Sequence, residues 1–367
     1  MPEAMPVESA NNQRVAALTG IRFFAASYVF IYHYGASAAG HANAPGPAMT
    51  FLDNGYVGVS MFFILSGFIL SHAHFERPVA YRRASRFFRA RIARIYPVYL
   101  FALAVSLPLA WRTLDAAKIL AVLSLTQSWG PARAKLGDAW VTPAWTLSLE
   151  WSFYLAFPLL ASIARRCSCK ILAMTAAADA AVMIAGGVAG IHPGDHHTQA
   201  WAATLPLPCI RGTEFFYGIL LYHIVRRLPP TSAVRNANLP AIAIAAALPC
   251  LLALSPDPHL VSLAASLFGM LLCALFTTES RLKSALQTSA LVRLGAASYA
   301  LYITQYAFHT YCVALIPHGR ALALPICTAL SLAICQYIEE PSRWRVMGVG
   351  RKQVRPGGSA PWPPAKG

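Results

Sequence analysis

Residues 18–35 read LTGIRFFAASYVFIYHYG, an apolar run with Arg22 near its front and His33 near its back. In an α-helix, at roughly 100° and 1.5 Å per residue, the eleven steps from one to the other make about three turns plus 20°. Both side chains then fall on one face, about 16 Å apart along the axis. Ionisable groups inside a membrane are costly and face a protein interior or a wet cavity, so this stripe marks a candidate site. The rest of the chain is read as whatever builds a cavity in front of it.

Composition supports a membrane setting. Of 367 residues, 57% are hydrophobic and only 12% charged, which excludes an ordinary soluble globule and points to a polytopic bundle of membrane helices. The first seventeen residues are polar and carry acids, and the apolar run after them contains Arg22, so no cleaved signal peptide is expected. A net charge of +16 in a soluble protein would suggest nucleic acid. Here the basic residues gather in alternate loops, the pattern of membrane topology, and no nucleic-acid partner is expected. Most of the cysteines lie in or beside apolar segments and act as small apolar residues, and Cys167 and Cys169 lack the second pair of a zinc site.

The charge map gives the spans their direction. A second span, about 55–74, is followed by RPVAYRRASRFFRARIAR with seven arginines, a cytoplasmic loop by the positive-inside rule, which places the N-terminus inside. A third span runs over about 95–113. The next apolar piece, AKILAVLSLTQSW, is shorter than the roughly twenty residues a span needs and is expected to be a re-entrant or interfacial helix. With that piece not crossing, the span after it ends beside Arg165, Arg166 and Lys170, on the basic side. Further spans are expected at about 170–190, 205–226, 239–255, 259–277, 294–316 and 321–338. The expectation is an all-α bundle of about ten spans plus one short re-entrant helix, both termini cytoplasmic. Residues 1–17 form an N-terminal tail, 18–345 the membrane domain and 346–367 a disordered basic tail.

Chemistry must then come from the helices and short connections. His33 suits a general base, and equally a neutral histidine bonded across helices. Arg22 also fits a residue snorkelling toward the cytoplasm. Glu150, in WTLSLEWSFYLAFP, stands one turn before Tyr154 in a span otherwise uncharged until Arg165. It could orient His33, or serve as partner to Arg22 or Arg211. Arg211 and Glu214 are three apart on one helix, the spacing of a pair that neutralises its own burial, and with Tyr154 they are candidates for touching substrate. The stretch RFFRARIARIYP mixes basic and aromatic side chains in a way that suits anionic lipid or phosphate and adenine. His192, His196 and His197 with Asp195 fall in a loop holding Pro and Gly and read as solvated histidines, so no metal is expected. A membrane with these buried charges would also suit a transporter or flippase of a glycan-lipid.

In order and spacing these segments resemble the acyltransferase-3 family, membrane acyltransferases that modify bacterial polysaccharides, lipopolysaccharide O-antigens, Nod factors and macrolides. The resemblance runs from Leu18 to about Pro341. It rests on Arg22-x10-His33, GYVGVSMFFILSGFIL, RFFRARIARIYPVYL, WTLSLEWSFYLAFPLL, RGTEFFYGILL, SYALYI and EEP. It implies an integral protein of the bacterial inner membrane that moves an acyl group, usually acetyl, from cytoplasmic acetyl-CoA to a hydroxyl at the outer face. The acceptor it implies is a lipid-linked or nascent exopolysaccharide. On this resemblance His33, Arg22 and Glu150 are the essential residues, with His33 as base or acyl carrier and Glu150 orienting it. Arg86, Arg89, Arg91 and Arg94 would receive the CoA phosphates. The chain departs from the family at Gln305, where a histidine is frequent; glutamine hydrogen-bonds but does not titrate near neutrality. It also carries no fused hydrolase-like domain, so transfer is expected without that helper or with a separate protein.

Overall fold

The computed structural model of the chain describes residues 7–38, 46–76, 79, 81–130, 140–189, 205–228, 238–254 and 257–347. Among them ten long helices follow one another: α1 (Val7–Ala38), α2 (Val57–His74), α3 (Tyr81–Ala110), α4 (Trp145–Arg166), α5 (Cys169–Val188), α6 (Leu207–Val225), α7 (Asn238–Leu254), α8 (Pro258–Thr277), α9 (Ser289–Leu315) and α10 (Gly319–Ile334). Seven segments, those of α1 to α5, α8 and α10 with its helical continuation to Val346, are long and apolar enough to cross a membrane. Helix α7 is shorter, and α6 and α9 replace aliphatic side chains with Arg211, Glu214 and His223 or with serine, tyrosine, threonine and glutamine. The protein is a polytopic helical membrane protein; a count of ten spans requires these three to cross as well.

Two boundaries differ from expectation. The arginine-rich segment is not a loop but the first half of α3, which starts at Tyr81. No Gly or Pro interrupts residues 81–96, Ala and Arg are good helix formers, and Phe87, Ala90, Ala93 and Ile95 give the segment a buried side. At the other end the chain does not stop near 338. A π turn over Cys335–Glu339 leads into a helix over Glu340–Met347, whose Pro341 occupies the first turn, where its missing N–H costs nothing. The tail beyond 347 and the histidines at 192, 196 and 197 lie outside the described residues.

The short apolar piece forms a helix over Ala116–Leu123, about 12 Å long and unable to cross roughly 30 Å of hydrocarbon. The Asp115 carboxylate caps it by accepting from the Lys118 backbone N–H at 2.8 Å. The segment after it is pinned to the start of α4. The Trp129 ring N–H donates to Ser148 O at 2.9 Å, and the Gln127 side-chain amide donates to Ala144 O at 3.1 Å.

Glycines let the central helices touch backbone to backbone. A Cβ at Gly67 of α2 would lie 2.1 Å from Phe215 O of α6, and one at Gly218 of α6 would lie 2.0 Å from Ile64 O of α2. Helix α1 is seated the same way: a Cβ on Gly58 would meet Ala25 O at 2.7 Å, and one on Gly295 of α9 would meet Thr19 O at 1.9 Å. These approaches set α1 between α2 and α9, with the Arg22 face turned to the space between them. Gly218→Val should therefore cost about 1–3 kcal/mol or more by overpacking. A lower thermal unfolding midpoint in detergent would show this. Gly130→Ala, where an added Cβ meets nothing within 4 Å, should leave the midpoint unchanged.

Candidate functional site

A cavity of about 120 Å³ opens between α1, α2, α3, α4 and α9. Its charged lining is Arg22, Arg91, Arg94 and Glu150, and its hydroxyl lining is Ser66, Thr146, Tyr154, Tyr299 and Tyr302. The Glu150 carboxylate is held from two helices: its Oε1 accepts from Ser66 Oγ at 3.1 Å and from the Tyr154 hydroxyl at 2.5 Å. The Arg91 guanidinium lies over the Tyr154 ring, 5.5 Å from its centroid, and over Phe87 at 5.8 Å; Arg22 lies 5.9 Å from the centroid of Phe62. Arg94 forms an ion pair with buried Glu339, which the π turn brings to it, and lies 5.7 Å from the Tyr299 ring centroid. The Tyr299 hydroxyl donates to Ile95 O at 2.8 Å.

Three arginines of low exposure, Arg22 of α1 and Arg91 and Arg94 of the arginine-rich half of α3, face a carboxylate and a phenol, an arrangement that suits an anionic substrate. The sequence matches the Acyl_transf_3 model, an acyltransferase domain, over residues 15–340. The chain belongs to this acyltransferase family. Among curated relatives, the acyltransferase MdmB of Streptomyces mycarofaciens is 30% identical over 313 residues, 80% of this chain and 78% of the relative. Protein 2 of the picA locus of Rhizobium radiobacter is 36% identical over 94 residues, 25% of this chain and 44% of that protein. No solved structure matches.

In this acyltransferase the four α3 arginines do not act as one group. Arg91 is buried and Arg94 largely so, and both line the cavity, whereas Arg86 and Arg89 are exposed, and Arg89 donates to Val346 O at 2.8 Å. Helical phase explains the split: from 89 to 91 the direction turns by roughly 200°, which sends the two pairs to opposite sides.

Arg211 and Glu214 stand apart from the cavity lining. Arg211 Nη2 donates to Glu214 Oε2 at 2.7 Å and to Ser60 Oγ at 3.2 Å, and Ser60 donates to Glu214 Oε1 at 2.8 Å. The pair is closed on itself beside the α2–α6 contact. Tyr154, by contrast, is part of the cavity wall.

His33 lies beyond the cavity. It is exposed, flanked by Tyr32 and Tyr34 at ring-centroid distances of 4.9 and 5.9 Å, and Tyr34 stacks on His309 at 3.8 Å. Glu150 is well inward of it. Its partner Ser66 is two turns, about 12 Å, further along α2 than Gly58, which meets α1 at Ala25 and Val29. The structure thus sets Glu150 opposite Arg22 rather than beside His33, because α2 runs antiparallel to α1. Among the described residues no group of three His, Cys, Asp or Glu side chains is placed to hold a metal.

Several lining residues carried no role in the sequence reading: Phe62, Ser66, Thr146, Tyr299, Tyr302, and Glu339 behind Arg94. All six sit in motifs already quoted, GYVGVSMFFILSGFIL, WTLSLEWSFYLAFPLL, SYALYI and EEP, but apart from Glu339 their side chains are ordinary for membrane helices. Breaking the Arg211–Glu214 pair should be a stability event. Arg211→Met leaves a buried carboxylate unpaired and should cost about 3–5 kcal/mol, and Arg211→Met with Glu214→Leu should recover most of it. Unfolding midpoints of the three proteins in the same detergent check this.

Proposed function

We propose that the protein takes an acyl group, acetyl first among them, from acyl-CoA entering at the cytoplasmic face and transfers it to a hydroxyl of a bacterial surface glycan at the outer face. The observation that carries this reading is the cavity itself. It sets Arg22, Arg91 and Arg94 together against a single lining carboxylate, with Glu339 behind Arg94, so three positive charges face two negative ones. Surplus positive charge with low exposure attracts the pyrophosphate of CoA, for which arginine forks are suited. Exposed Arg86 and Arg89 stand at the same end of α3, where they meet anionic headgroups or the adenosine end of the donor.

The Arg22–His33 stripe then runs from donor entry to acceptor. A pantetheine arm lying along it delivers its thioester to His33, whose exposure on the outer part of α1 admits a glycan hydroxyl. His33 takes the hydroxyl proton, the oxygen attacks the thioester carbonyl, the carbon–sulfur bond breaks, and CoA leaves as its thiol once it regains a proton. An acyl-histidine intermediate uses the same residue as nucleophile. Glu150 serves this chemistry from the donor side, as the counter-charge that holds Tyr154 and faces Arg22. We propose that the protein resides in the bacterial inner membrane with both termini cytoplasmic, as the charge map favours.

His33→Ala should leave the protein folded, with an unchanged elution profile in detergent, and lower acyl-CoA-dependent labelling of the glycan by about 10²-fold or more. Full labelling by a well-folded His33→Ala protein would defeat the proposal. Passage of unmodified glycan-lipid without acyl-CoA would mark a flippase instead.

A further inference from the structure

Helix register places a barrier between the cavity and His33. Helices α1 and α9 run in parallel, since Gly295 meets Thr19 near their inner ends and His309 stacks on Tyr34 near their outer ends. Counting seven residues outward from each glycine-set contact puts Tyr302 level with Ala26, about 10 Å short of His33. Side chains of a helix lean toward its N-terminus, so the Tyr302 ring leans inward and the Phe62 ring of antiparallel α2 leans outward, and the two meet. Their ring centroids are 5.9 Å apart at an interplanar angle of 59°. Thr146 of α4 lines the third side, its hydroxyl donating to Pro143 O at 2.9 Å. All three line the cavity, and His33 does not.

The hydroxyls below this point are already committed. Ser66 and Tyr154 donate to Glu150, and Tyr299 donates to Ile95 O. Among the described lining hydroxyls, Tyr302 is not tied in this way to a carboxylate or a backbone carbonyl, bonds each worth about 0.5–1.5 kcal/mol net. Phe62 is held by no hydrogen bond, only by packing and by the Arg22 guanidinium 5.9 Å from its ring centroid. The contact is therefore the part of the wall most able to move aside.

We propose that Phe62 and Tyr302, with Thr146 beside them, form a throat through which the acyl thioester passes on its way to His33, and that this throat sets the largest acyl group the enzyme transfers. The inference rests on the reading that the donor occupies the cavity and reacts at His33. An acetyl thioester is scarcely wider than the pantetheine chain and slips between the rings; a longer or branched acyl group must hold them apart along its length. The same contact keeps the cavity from being an open path across the membrane.

An acceptor-free experiment tests the throat. His33→Cys places a thiol at the outer end of the stripe. That thiol attacks an arriving thioester, forming a new carbon–sulfur bond as the old one breaks, and its proton leaves with CoA. Acetyl-CoA or hexanoyl-CoA is supplied only at the cytoplasmic face of sealed vesicles, and acylation of the peptide containing position 33 is read by mass. Acetyl should label the introduced thiol at least about tenfold faster than hexanoyl, the scale of discrimination that extra methylenes meet in a fitted apolar site. Adding Phe62→Val or, separately, Tyr302→Val should raise the hexanoyl-to-acetyl ratio about tenfold. Tyr302→Phe, which keeps the ring and loses the hydroxyl, should leave the ratio unchanged. Each variant's own acetyl rate is its reference, so a loss of folded protein does not mimic the effect. Equal acetyl and hexanoyl labelling with the natural throat, or an unchanged ratio in both valine variants, overturns the proposal. Absence of acetyl labelling in every variant overturns the donor path on which it stands.

Discussion

Arginine inside a bilayer has to be answered by an opposite charge or by water, and the ways in which four arginines are answered organise this protein. Arg211 is closed off by Glu214 and Ser60, a local pair three residues apart that asks nothing of a ligand. Arg94 is met by Glu339, a residue far away in sequence, which reaches it through the π turn after α10. Arg22 and Arg91 share the neighbourhood of Glu150 and Tyr154 on α4. The first pair fastens α6 to α2, whereas the others surround a cavity. The difference lies in whether the charge lines an open cavity or is packed between helices.

Glycine contacts convert that chemistry into geometry. Because α2 meets α6 and α1 meets both α2 and α9 at backbone distance, the register of four helices is set to within about a residue. Ser66 and Glu150 are thereby placed opposite Arg22, and the rings of Phe62 and Tyr302 are brought together, tilted at 59°. His33 is left in the outer part of α1, among tyrosines. One helix face therefore serves two compartments: an inner one with charges and hydroxyls, and an outer one with an accessible imidazole. The proposed transfer, from a donor on one side to an acceptor on the other, would use both.

Much of this was legible in the chain. The eleven-residue spacing of Arg22 and His33 predicted a shared helix face, the i,i+3 spacing of Arg211 and Glu214 predicted their pairing as one option, and the shortness of AKILAVLSLTQSW predicted a helix that does not cross. The arginine-rich segment was misread as a loop because charge density signals the cytoplasm without saying whether the backbone is helical there. Once it is taken as the start of α3, the phase of Arg91 and Arg94 against Arg86 and Arg89 follows from 100° per residue. The position of Glu150 relative to His33 was not available from spacing, since it depends on where antiparallel helices touch. The meeting of Phe62 with Tyr302 depends on two such contacts at once, and neither residue is unusual for a membrane helix.

The central claim is that donor and acceptor meet from opposite faces of one protein. Purified protein in sealed vesicles, oriented so that the arginine end of α3 faces inward, can be given acetyl-CoA labelled in its acyl group inside and a lipid-linked exopolysaccharide repeat unit outside. The account predicts label on the outer glycan, dependent on enclosed acetyl-CoA. Transfer that requires donor and acceptor on the same face would contradict it.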